Sequence, residues 1–302
     1  MRLSVLIPVY NWVIARLLDA LVEEIKANNL DRNVQIVVID DASKNGCNSD
    51  NRRHVSNNQL VKYLELDTNA GRAKIRNLLA KESEGDYLLF LDCDVVPDRN
   101  NFLSIYLNNI DDDTDVICGG VTYYQRILTD PIYDFYAFLN SQTQQIAPEV
   151  RNKMPWKFIL TSNVLIKRNV FEQVEFDSGF IGYGYEDLEW GIRLSRNFNV
   201  KHIENSCSHL GLVDKENTFK RMRDATKNYA LLRELHKEYF IQAPISKYVL
   251  IMEKLPVSFL RVFDKILKRW FFSTENLPLS YGVFQLDKAI CLAIYGKNRK
   301  IT

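Results

Sequence analysis

Two short, almost continuous apolar runs constrain this chain more than anything else in it, because each ends on a pair of acids. Val34–Ile39 runs into Asp40-Asp41, and Tyr87–Leu91 runs into Asp92-Cys93-Asp94. A strand that is apolar at every position has to be covered on both faces, which is the setting of a parallel sheet between layers of helix. The neighbouring segments fit that setting. Leu3–Val9 reads as a first buried strand; Ile14, Leu17, Leu18, Leu21, Val22 and Ile25 then fall on one face of an amphipathic helix. Ile75, Leu78 and Leu79 sit at helical spacing within Asn69–Ala80. Strands alternating with helices predict an α/β fold with a Rossmann-like, mostly parallel sheet flanked by helices.

After Val116–Tyr124 the alternation weakens. The pattern predicts a less regular stretch from Gln125 to Trp156 with a helix near Ile132–Leu139, a strand at Val164–Ile166, a helix over Asp187–Asn197 and a strand at Val200–Glu204. From Asn217 the chain is helical throughout, so a boundary is expected near Asp214: a catalytic domain over 1–213 and a helical, basic C-terminal extension over 214–302. Charge divides the chain at the same place. Residues 216–302 hold 16 Lys and Arg against 8 Asp and Glu, leaving 23 against 30 in the first 215. An acidic body speaks against nucleic acid as a partner and suits a divalent cation, whereas the basic tail suits an anionic surface. The continuous apolar runs stop short of the roughly 18 residues of a spanning helix. The start lacks a signal-peptide pattern, and the five cysteines are scattered without a CxxC pair. The expectation is a cytoplasmic chain with reduced thiols.

In an open α/β sheet, ligands bind beyond the carboxyl ends of the strands, so both acidic pairs are expected to line one crevice. Mg2+ or Mn2+ takes hard oxygen ligands and is held by one or two carboxylates plus substrate phosphates, which the Asp-x-Asp motif Asp92-Cys93-Asp94 can supply. Such a motif can equally end a strand in a solvated turn; its surroundings decide. Leu6-Ile7-Pro8-Val9-Tyr10-Asn11, Val38-Ile39-Asp40-Asp41-Ala42-Ser43, Asn69-Ala70-Gly71 with Arg76-Asn77, and Phe90-Leu91-Asp92-Cys93-Asp94 together resemble the ordered signature of family 2 glycosyltransferases of GT-A fold. Gly182-Tyr183-Gly184-Tyr185-Glu186-Asp187-Leu188-Glu189-Trp190 and His209-Leu210-Gly211 are similar to later segments of related transferases. The resemblance covers about residues 1–213. It implies a mixed sheet of GT-A type and an inverting, metal-dependent enzyme. That enzyme would move a sugar from a nucleotide-diphosphate donor, with uridine the base by analogy, to a hydroxyl of a glycan or lipid-linked acceptor in surface glycan or polysaccharide synthesis.

Residue by residue, the resemblance implies that Pro8, Tyr10 and Asp41 border the nucleoside, with Asp41 accepting a hydrogen bond from the base and Arg76 near the same pocket. Asp92 would face the ribose or sugar, and Asp94 with Asp92 and His209 would hold Mn2+ or Mg2+. Asp187 matches the catalytic base, with Glu186 beside it. Ser162 and Asn163 resemble the small polar segment that borders the donor sugar, while Trp156, Tyr183 and Tyr185 are candidates for the acceptor side.

The chemistry asks for such groups in any case. Negative charge grows on the β-phosphate as the bond to the anomeric carbon breaks, a divalent cation stabilises it, and a carboxylate in reach of the acceptor hydroxyl can take its proton. Plainer accounts exist for each element. Acids over 186–189 suit a helix N-terminus, His209 can be a packed histidine, Trp156 a core residue, and Asp111-Asp112-Asp113 a solvated turn. Two other functions stay open: a sugar-nucleotide nucleotidyltransferase, for which no Gly-rich basic N-terminal segment is present, and a non-catalytic nucleotide- or glycan-binding protein retaining the fold.

In the tail, Phe259, Leu260, Phe263, Ile266, Leu267 and Trp270 predict one apolar helical face, with Arg261, Lys265, Lys268 and Arg269 on or near the other. Such a helix can pack on the catalytic domain, pack on a second chain in a homo-oligomer, or make peripheral contact with the inner face of a membrane.

Overall fold

The computed structural model describes residues 2–125 and 130–299. The chain divides into two compact units: Met1–Ile127, Thr143–Gly179 and Glu186–Gly211 make the first, and Leu128–Gln142, Phe180–Tyr185 and Leu212–Thr302 the second.

The first unit is built on strands β1 (Leu3–Val9), β2 (Val34–Asp40), β3 (Val61–Glu65), β4 (Tyr87–Leu91), β5 (Val95–Pro97), β6 (Val116–Cys118), β7 (Val121–Thr122), β8 (Asn163–Lys167), β9 (Val200–His202) and β10 (Cys207–His209). Seven of them form one sheet in the order β3-β2-β1-β4-β8-β6-β9. β3, β2, β1 and β4 run parallel. β8 is antiparallel to both of its neighbours, and β9 is parallel to β6, so the sheet is mixed. Side chains alternate between two cores. Leu3, Val5, Ile7 and Val9 of β1 pack with Leu17, Leu18, Leu21 and Ile25 of the helix Ala15–Ala27, whereas Leu6 faces the opposite core, with Ile75 and Leu79 of the helix Arg72–Lys81.

The structure departs from the sequence pattern where glycine or brevity intervenes. Val116–Tyr124 does not continue as one strand. Gly120 adopts φ +89°, and Gly119 lies so close to the Asn205 carbonyl, the Asn163 amide and the Tyr106 hydroxyl that a Cβ would overlap them. The break sends β7 into a separate three-stranded sheet, β5-β10-β7. The edge strand β3 and the helix Cys47–Val55 went unanticipated because β3 is only half-buried and the helix is largely polar.

Buried polar side chains tie these parts together. Asn163 donates to the carbonyls of Gly120 and Asn205, each at 2.8 Å, and accepts from the Tyr106 hydroxyl at 2.6 Å. Glu24, buried on the first helix, accepts from the amides of Leu103 and Ser104 at 2.9 Å and from the Ser104 hydroxyl at 3.0 Å. It thereby satisfies donors that the start of the helix Phe102–Asn109 cannot satisfy itself.

The C-terminal region is helical, as expected, and belongs to the second unit. Phe135, from the helix Asp134–Thr143, joins Phe219, Leu260, Phe271, Val283, Phe284 and Ile290 in its core. Within the helix Leu277–Arg299, the stretch Leu277–Lys297 is the one helix among the described residues long and apolar enough to cross a membrane, with a mean hydropathy of 1.2. It nevertheless carries the fully buried Asp287, which pairs with Arg223 at 3.0 Å. Arg223 also binds Asp264 at 2.5 Å, so the cluster of Asp264, Asp287 and Cys291 is already occupied by a guanidinium. The expected single apolar face of the helix Val257–Ser273 is corrected. Leu260 and Leu267 enter the core, but Phe259, Phe263, Ile266 and Trp270 are exposed, because neighbours in sequence lie about 100° apart around a helix.

Glu24→Ala would leave buried amides of the Phe102–Asn109 helix unpaired and should lower the unfolding free energy by about 2–3 kcal/mol, read from urea denaturation of variant and parent.

Candidate active site

β1, β2 and β4 are parallel, so Pro8 and Tyr10, Asp40 and Asp41, and Asp92 emerge at the same edge of the sheet. The turn after β2 is sharp. Ala42 takes φ +61°, at a cost of about 1 kcal/mol for a residue with a Cβ. Compensating bonds surround it: Asp40 Oδ1 accepts from the Ser43 amide at 2.7 Å, the Ser43 hydroxyl accepts from the Asn11 amide at 2.8 Å, and Asn11 Oδ1 accepts from the Lys44 amide at 2.8 Å. Asp41 binds a third loop. Its two carboxylate oxygens accept from the amides of Ala70 at 2.6 Å and Gly71 at 3.1 Å, and its carbonyl accepts from Asn69 Nδ2 at 3.0 Å. Each of those oxygens keeps a lone pair for a further donor. Tyr10 stands exposed beside this edge and Pro8 is half-buried.

The helix Arg72–Lys81 starts at Gly71 and aims two guanidiniums at the acids. Arg76 is buried and donates to Asp92 Oδ1 at 2.8 Å; it lies 3.5 Å from Glu186 Oε1, and Arg72 lies 3.6 Å from the same oxygen. Burial pushes the Asp92 carboxyl up, but Arg76 and then Arg72 outweigh it and hold the group below the usual carboxylate range. Asp94, two residues on, has Oδ2 3.5 Å from His209 Nε2. His209 reaches that position because β10 pairs antiparallel with β5, putting His209 opposite Val95. Gly211 completes the corner. A Cβ there would overlap the Asp94 carboxylate and crowd His209 Cε1, so glycine lets both donors keep these positions, whereas a side chain would make the carboxylate shift.

Asp187 belongs to the first turn of the helix Glu186–Asn197. Trp190 anchors that helix: its ring is fully buried and stacks on Phe176 at 4.3 Å, and its Nε1 donates to the Val174 carbonyl at 2.6 Å. Glu186 is buried, with Oε2 lacking a hydrogen-bond partner. Burial first, and the charge of Glu186 second, push the Asp187 carboxyl up to about 7. The two adjacent acids therefore differ in setting: Glu186 lies beside the arginines, and Asp187 carries a raised carboxyl.

Of the other expected residues, Ser162 and Asn163 lie where β8 starts, at this same edge, with Asn163 opposite Leu91. Ser162 is buried at the entry to β8, and the Asn163 amide is committed to the framework bonds given above. Trp156, in the turn Pro155–Phe158, packs its backbone carbonyl against Gly191, where a Cβ could not fit. Tyr183 and Tyr185 belong to the second unit. There Asn228 donates to the Gly184 carbonyl at 2.9 Å and Tyr185 lies 4.9 Å from the Tyr229 ring. Arg72 and Gly211 were not anticipated as contributors. Arg72 could have been found from its spacing, one helical turn before Arg76, and Gly211 from its place two residues after His209.

The family model described as Glycosyl transferase family 2 matches residues 4–174. Glycosyltransferase GlyG of Streptococcus pneumoniae is 27% identical over 188 residues, covering 59% of this chain and 60% of GlyG, so the chain spans less than two thirds of that relative. Among solved structures, TarS 1-349 of S. aureus matches with a TM-score of 0.57 and 18% identity over 100% of this chain and 92% of that one. Mannosyltransferase PcManGT of Pyrobaculum calidifontis matches with a TM-score of 0.59 and 15% identity over 99% and 87%. At such identities the likeness establishes the fold: a mixed α/β sheet of GT-A type with helices packed on it.

With its carboxyl raised to about 7, Asp187 binds its proton more tightly in the folded chain than in the unfolded one, where its value is near 3.8. It therefore costs stability progressively as pH rises from about 4 to about 7. Asp187→Asn removes that titration, so its stability relative to the parent should increase across this window and level off above it. Thermal unfolding of both chains over that pH range checks this; parallel profiles would contradict the raised carboxyl.

Proposed function

The chain belongs to glycosyl transferase family 2, and from that premise we propose that it transfers a sugar from a nucleoside diphosphate to an acceptor hydroxyl with inversion at the anomeric carbon. The observation that carries the reading is the arrangement around Arg76, which ties the Asp-x-Asp motif at the end of β4 to the acidic head of the helix Glu186–Asn197.

Asp41, Tyr10 and Pro8 are assigned to the nucleoside, and Arg72 to the diphosphate, which an exposed guanidinium at a helix start suits. Asp94 Oδ2 and His209 Nε2 converge, with Gly211 clearing the space beside them, and a carboxylate with an imidazole is a donor set that fits Mn2+ and also admits Mg2+. Asp94, His209 and Asp92 would hold the ion, which when bound would offset the charge developing on the leaving phosphate. Asp187 takes the proton from the attacking hydroxyl as the new bond forms on the face opposite the departing diphosphate; a carboxyl poised near neutral pH suits that task. Glu186 stays beside the arginines, next to the base. Ser162 and Trp156 are assigned to the rim of the sugar site.

Uridine is the base to test first. TarS is described in complex with UDP and with UDP-GlcNAc, and PcManGT in complex with GDP-Man and Mn2+, which makes guanosine the second choice. A glycan or lipid-linked hydroxyl is the acceptor class we assign, in surface polysaccharide synthesis.

UDP with Mn2+ should raise the melting temperature more than either alone, and Asp94→Ala should remove the metal-dependent part. Turnover of a UDP-sugar should release UDP; release of pyrophosphate would identify a nucleotidyltransferase, and binding without turnover a non-catalytic relative. Asp187→Asn should lower turnover by at least about a hundredfold while leaving UDP affinity within about twofold, and an unchanged rate would remove Asp187 as the base.

A further inference from the structure

The helix Val257–Ser273 presents two apolar faces, and only one is covered by other described residues. Leu260, Leu267 and Phe271 are buried in the core of the second unit, and Asp264 on the same side pairs with Arg223. Phe259, Val262, Phe263, Ile266 and Trp270 point away from that core and are each 41–56% exposed. At about 100° per residue these five fall within roughly a third of the helix circumference, so they make one continuous stripe. The rings of Phe259 and Phe263 lie 4.7 Å apart along it. The arc beside the stripe carries Arg261, Lys265, Lys268 and Arg269, all exposed. Asp264 is the sole acid of the helix and is spent on Arg223, so the outward surface is apolar along its crest, and its flank carries these cations, with the exposed Phe272 among them, and no acid.

We propose that this face docks the protein on an anionic lipid bilayer, with the helix lying in the plane of the interface. Seventeen residues make a helix about 25 Å long, and four exposed cations with a buried ion pair rule out a transverse position. Lying flat, the stripe enters the boundary between headgroups and acyl chains while the cations meet lipid phosphates. Charge selects this occupant over a second copy of the chain, because two such faces would bring two cationic rows to one seam with no acidic row to meet them. The long helix Leu277–Arg299 cannot take over the anchoring while Asp287 holds Arg223 inside the core. Nothing in this inference depends on the transferase reading.

The test is flotation of the full chain with vesicles of phosphatidylcholine alone and with about 30% phosphatidylglycerol. The chain should float with the anionic vesicles, and binding should weaken as salt rises from about 0.1 to about 0.5 M. Phe263→Glu combined with Trp270→Glu should cut the partition by at least about tenfold. Lys265→Glu combined with Arg269→Glu leaves the stripe intact and should cut it by at least about fivefold, serving as the readout if the first pair unfolds the chain. Unaltered melting temperatures would show that these surface changes spare the fold. Failure of the unmodified chain to float with anionic vesicles would overturn the proposal, as would a dimer in light scattering that Phe263→Glu dissociates without changing flotation.

Discussion

A single buried guanidinium holds the acidic edge of the sheet together. Arg76 is 2% exposed, lies 5.7 Å over the Phe176 ring, and reaches Asp92 at the end of one strand and Glu186 at the start of a helix more than 90 positions later. A cation in such a place is tolerable only while its anions stay with it, since removing one partner of a buried pair typically costs about 3–5 kcal/mol. The same bonds constrain the acids. Asp92 is kept charged and oriented, Glu186 is held beside Arg76 and Arg72, and Asp187 lies in the field of Glu186 as well as of the two arginines. The two titrating aspartates are thus driven apart by different causes: the arginines lower Asp92, whereas burial, helped by the charge of Glu186, raises Asp187.

Much of this was legible because it repeats a period or ends one. The strands Leu3–Val9 and Tyr87–Leu91 occur as read from their apolar runs, and the aspartates follow them because a parallel strand has to hand the chain to solvent at its carboxyl end. What stayed hidden has no period. β5, β7 and β10 are two or three residues long, so their sheet, which brings His209 to Asp94, leaves no pattern in the sequence. Asn163 could be recognised as a small polar residue before a strand, but its bonds go to Gly120, Asn205 and Tyr106, partners 42 to 57 positions away. Local spacing cannot reveal such partners, and the same holds for the Glu24 cap on a helix 79 positions on.

The tail shows a different failure of pattern. Hydrophobic residues at helical spacing were read as one face, yet the chain uses them as two, and the difference lies in whether a residue sits above Leu260 or above Phe259 around the helix axis. Periodicity reports that a surface is apolar; what covers it is settled by neighbours. Charge placement discriminates where periodicity does not, since the acid on that helix turns inward and the bases turn outward.

The antiparallel strand β8 has a consequence for how the chain comes to be folded. It fills the gap between β4 and β6, and Tyr87 of β4 meets Lys167, 80 positions later. At about 5–20 residues per second of synthesis, β4 waits on the order of 4–16 s for that strand to be made. During that interval five consecutive apolar residues border an unpaired sheet edge, which is a template for pairing with other chains. The parallel half β3-β2-β1-β4 is complete much earlier, so the growing chain carries half a sheet with an adhesive margin, and the rate at which β8 arrives sets how long a chaperone would have to shield it.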